Sequence, residues 1–79
     1  MINLLEQVAF AKTQMSYSID YFNSRCSKLK VKGLSVESAF RYIVSLGVAD
    51  CADIMMFSNY CEAKGKLYQL HIIAKMAGD

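Results

Sequence analysis

NLLEQVAFAKTQMSYSIDYFNSRCSKL, residues 3–29, decides how the rest of the chain is read. Within it Leu5, Val8, Met15, Ile19, Phe22, Cys26 and Leu29 recur at spacings of three and four, and only Lys12 interrupts the series. Side chains so spaced line one side of a helix and require a partner along its whole length. The segment is predicted as one helix, roughly 40 Å long at about 1.5 Å per residue. A chain of 79 residues has little left with which to cover it.

Composition sharpens that shortage. A chain this short buries only about 60–65 % of the surface its unfolded form exposes. Yet 54 % of its residues are hydrophobic and 20 % charged, with a mean hydropathy of +0.22. Such a chain is expected either to self-associate, most simply as a two-fold homodimer, or to keep an apolar surface for another protein. Its longest uncharged apolar runs, 42–49 and 54–61, are too short to span a membrane. Glu6 and Gln7 interrupt the first apolar run and no basic residue precedes them, so no secretory leader is expected. Cys26, Cys51 and Cys61 are odd in number and widely spaced, which reads as reduced thiols in a cytoplasmic protein. A net charge of +2 is too small for a purely electrostatic DNA binder and of the wrong sign for a DNA mimic.

Beyond Leu29 the chain has no proline, so glycines and caps divide it. Lys28, Lys30 and Lys32 suit the negative end of the first helix dipole, and Gly33 is predicted as its left-handed cap. Ser35 should cap a second helix of about three turns, with Val36, Ala39, Phe40, Ile43 and Val44 on its apolar face and Gly47 closing it. Asp50 should cap a third, with Asp53 reciprocating as in a capping box. That helix carries two stripes: Ile54, Cys61, Tyr68 and Ile72, and Met56, Tyr60, Ala63, Leu67, Leu70 and Ala74. Gly65 either breaks it, making a fourth short helix over 66–77, or is passed through. The expected fold is all-α: one domain over 1–79, a small dimeric bundle of three or four helices with one long N-terminal helix. The second helix can cover less than half of the first, leaving the N-terminal half to the last helix or to a second protomer.

Chemistry is poorly represented. Cys51, Cys61 and His71 are ten residues apart in turn, unlike any zinc-ligand pair, so no metal or other cofactor is expected. One histidine and seven dispersed carboxylates offer no acid–base pair, and single glycines form no phosphate loop, so no enzyme is expected. Phe10, Tyr17 and Tyr21 share a second face of the first helix and are the candidate partner-binding residues, because aromatics combine contact area with a polar tip. The same residues would equally widen a buried stripe. Met55, Met56 and Phe57 form an apolar triplet better suited to a core than to a partner. Arg25, Lys28, Lys30 and Lys32 are the candidate nucleic-acid contacts, joined by Lys64 and Lys66 in a dimeric regulator. The segment after Gly47 lacks the polar side chains of a recognition helix.

The function expected from these residues is steric: a helical face that occupies the surface of another protein. Small stand-alone chains of this kind are often inhibitors or adaptors of phages and other mobile elements, anti-defence inhibitors among them.

Overall fold

The computed structural model describes residues 3–78, which hold three helices, α1 (Leu4–Lys28), α2 (Val36–Ser45) and α3 (Cys51–Ala77), and no strand. Each helix begins where a short polar side chain can take up a free backbone N–H. Asn3 accepts from the Glu6 amide at 2.8 Å and Ser35 from the Ser38 amide at 3.2 Å. At α3 the expected capping box is complete: Asp50 accepts from the Asp53 amide and Asp53 from the Asp50 amide, both at 3.0 Å. The helix then runs through Gly65 without a break.

The ends of α1 and α2 share one geometry. After α2 the Gly47 amide donates to Val44 at 2.9 Å and the Val48 amide to Ile43 at 3.4 Å, with Gly47 at φ +72°. After α1 the Lys30 amide donates to Ser27 at 3.1 Å and the Val31 amide to Cys26 at 2.9 Å. Both are Schellman closures. The left-handed residue ending α1 is therefore Lys30, at φ 61°, and not Gly33, whose φ of 77° belongs to the loop beyond.

α1 and α3 lie antiparallel. Arg25 and Tyr21 meet Asp53, Ser18 meets Met56, and Ala11 and Ala63 line one groove, so each step back along α1 is a step forward along α3. The seam on α1 is Ala11, Ser18, Phe22 and Cys26, with Leu4, Val8, Met15, Arg25 and Leu29 half-buried at its margins. Two of the seven expected seam residues must be corrected: Leu5 is 80 % exposed and Ile19 38 %, while Lys12, the expected interruption, is exposed. Small residues replace them because α3 passes close by. Ser18, fully buried, donates from Oγ to the Met56 carbonyl at 3.0 Å, a contact that a larger side chain would prevent.

α2 caps the half of this hairpin nearest the loops. Phe40 stacks on Phe57 at 4.2 Å and 1°, and Phe22 meets both rings edge-on at 6.2 and 6.5 Å. Val36, Ala39 and Ile43 complete that core, whereas Val44 turns outward. In the other half Ala11, Ala63 and Leu70 are buried between the two long helices alone. The result measures 47 × 21 × 16 Å.

Candidate protein-binding surface

The 4–3 spacing that places Ala11 and Ser18 against α3 turns the neighbouring positions to the side away from α2. Phe10 and Tyr17 stand there, 66 % and 67 % exposed. Beside Phe10 lies an open groove of about 830 Å³, floored by Ala11 and Ala63 and edged by Glu6, Gln14, Glu62 and Lys66. Small residues at the floor create the depth, since two alanines facing each other leave room that two leucines would fill. The groove thus offers an apolar floor, one exposed aromatic ring and charges of both signs at its rim.

Tyr21, the third aromatic of the expected face, has a different place. It is half-buried with its ring edge-on to Phe22 at 5.1 Å, and its hydroxyl donates to Asp53 Oδ1 at 2.6 Å. Burial, and then the hydrogen bond to the Asp53 carboxylate, pushes its phenol up to about 12. Arg25, expected among the phosphate-contacting cations, is likewise engaged. Its Nε donates to Asp53 Oδ1 at 2.9 Å and its Nη2 to Oδ2 at 2.8 Å, and Nη2 also donates to the Val48 carbonyl at 3.0 Å. These bonds, with that from Tyr21, hold the fully buried Asp53 at about 2 against the opposing effect of desolvation. Lys28, Lys30 and Lys32 are exposed at the α1 end; Lys64 pairs with Glu37 at 3.4 Å, and Lys66 stands at the groove.

Sequence reading missed the Arg25–Asp53–Tyr21 cluster because it assigned each member separately, as cation, cap and aromatic. The available signal was Asp53 itself. A capping-box acid one turn before the Met56–Tyr60 stripe falls on the seam, where it requires a cation.

Cys51 and Cys61 are exposed thiols and Cys26 is buried. Among the described residues no three His, Cys, Asp or Glu side chains are grouped to hold a metal ion, and no helix is long and apolar enough to cross a membrane. Fold and surface together define an all-helical chain with an antiparallel helix pair and a short capping helix. No protein-family model, curated protein or solved structure matches it.

Proposed function

We propose that this chain is a non-enzymatic binding module that works by occupying the surface of another protein, as an inhibitor or an adaptor. The observation carrying the reading is the exposure of Phe10, at the groove floored by Ala11 and Ala63, and of Tyr17 two turns further along the same face of α1. Large aromatics on rigid helices lose little freedom on docking and contribute disproportionately to interface energy. Engagement of Arg25 by Asp53 counts against the alternative, a phosphate-led regulator, because it removes the one guanidinium from the basic group.

The test is capture from host lysate by the wild-type protein and by a Phe10→Ala, Tyr17→Ala double variant, at low and moderate salt. A partner retained by the wild type in both salts and lost by the variant supports the reading. Capture indifferent to the two substitutions overturns it. Steep loss with salt also overturns it, pointing to phosphate contact through Lys28, Lys30 and Lys32.

A further inference from the structure

α3 carries largely apolar stripes on two opposite sides, yet only one of them is covered. Asp53, Tyr60, Ala63 and Leu70 face α1 and α2 and are buried, with Asp53 the one charge among them. On the opposite side Ile54, Cys61, Gly65, Tyr68 and Ile72 follow at spacings of seven, four, three and four, all exposed and none charged. Ile54 is 57 % exposed and Tyr68 68 %. A surface helix ordinarily turns charged residues to that side.

Two further observations bear on what covers the stripe. The chain exposes 5836 Å². Surface scaling gives roughly 4,800 Å² for a monomer of 8.9 kDa, an excess of about 1,000 Å². A standard interface removes about 800 Å² from each partner, so the excess is the size that one such contact takes up. Gly65 is the other. It sits mid-helix, where glycine is the least favourable residue after proline, and a Cβ there would meet nothing within 4 Å. No contact within the chain requires it. A second helix crossing at that point would, because two backbones approach closely only where side chains are missing.

The geometry points to a second copy of this chain as the occupant: two α3 helices cross at Gly65 about a two-fold axis, with Cys61, Tyr68 and Ile72 packing around the crossing. A second copy is favoured over a foreign chain because homodimer interfaces are more apolar than those of chains that also exist apart, and this stripe carries no charge along its length. The assignment rests on the proposed role of the chain as a binding surface and gives each face its own task. α3 joins the protomers, and the Phe10–Tyr17 side stays free on both.

Sedimentation equilibrium tests this on the full chain. Wild type should be a dimer, Gly65→Leu and Tyr68→Glu should weaken it at least about tenfold, and Phe10→Ala with Tyr17→Ala should leave it unchanged. Circular dichroism reports whether the variants keep their helices. As a readout that does not depend on weakening the contact, Gly65→Cys with Cys51 and Cys61 replaced by serine should form a covalent dimer under mild oxidation, since a residue on the axis meets its own copy. A monomeric wild type, a dimer indifferent to Gly65→Leu and Tyr68→Glu, a dimer lost on changing Phe10 and Tyr17, or no cross-link in the Gly65→Cys variant would each overturn it. Failure here is distinct from failure of the binding role, which is read from partner capture through Phe10 and Tyr17.

Discussion

Arg25 and Asp53 face each other across the α1–α3 seam in a two-bond clamp, Nε to Oδ1 at 2.9 Å and Nη2 to Oδ2 at 2.8 Å. Asp53 also accepts from Tyr21 and from the Asp50 amide, so one fully buried carboxylate ties the start of α3 to the end of α1. The pair fixes where along one another the two long helices sit. Removing one member of such a pair leaves the other without its compensation, which is costlier than the pair's net contribution.

Stability should therefore fall in acid. The Asp53 carboxyl lies at about 2 in the folded chain, below its ordinary value of 3.8. A group depressed by folding contributes stability that is complete above its unfolded value and disappears as pH falls through the folded one. The window is roughly pH 4 to 2, and the contribution is about 2 kcal/mol. Urea unfolding across that range should show the loss in the wild type, and Asp53→Asn should abolish this component while lowering stability at neutral pH.

Tyr21 gives the mirror-image case. Its phenol is raised from 10.0 to about 12, so its contribution is complete below its ordinary value and is lost as pH climbs towards 12. Burial and Glu37 raise the Tyr60 phenol too, so absorbance titration should contain late phenolate components, of which Tyr21→Phe removes the one near 12. The same change should cost about 1–2 kcal/mol at neutral pH, because it takes away a hydrogen bond to a charged group. No alteration in the late components would mean that the Tyr21–Asp53 contact is absent in solution.

Phe22 and Ile19 test the register of the seam. Both belong to the three–four series of large apolar residues, but only Phe22 is buried, among Phe40, Phe57 and Tyr21. Phe22→Ala should cost about 3–5 kcal/mol and Ile19→Ala less than about 1. Filling the true seam should do harm: Ser18→Leu should destabilise by about 1–3 kcal/mol, since its hydroxyl lies 3.0 Å from the Met56 carbonyl. Chemical denaturation of the three variants decides the ranking.

The same residues show what a single sequence can disclose. Ser35, Gly47 and the Asp50–Asp53 box act through backbone groups a few positions away, so their signals are local and the helix limits follow from them. Met56, Tyr60, Leu67 and Leu70 could be recognised as a stripe because size and spacing agree, and Ala63 falls within it by spacing, whereas Ala74, placed there on spacing too, is exposed. Ala11 and Ser18 could not. Small residues become seam residues only when a partner helix comes close, which is a property of the pair and not of α1. Phe10 and Tyr17 stood out as aromatics, but their exposure depended on that register, and Tyr21 was drawn into the seam by an acid 32 positions further on.

Lys30 supplies the remaining prediction. It occupies the position after the α1 cap at φ 61°, where the Schellman closure favours glycine, and the matching position after α2 is held by Gly47. A left-handed backbone costs a residue with a Cβ roughly 1–2 kcal/mol, partly offset by the greater freedom glycine has in the unfolded chain. Lys30→Gly should therefore raise stability by about 0.5–1 kcal/mol, seen as a higher midpoint in urea at unchanged slope. Its side chain is exposed, so no packing is given up. Lys30→Ala separates backbone from charge: it keeps the strain and removes only the cation near the helix end, so it should not stabilise. If alanine helps as much as glycine, repulsion among Lys28, Lys30 and Lys32 is the true cost at this corner and the backbone is not.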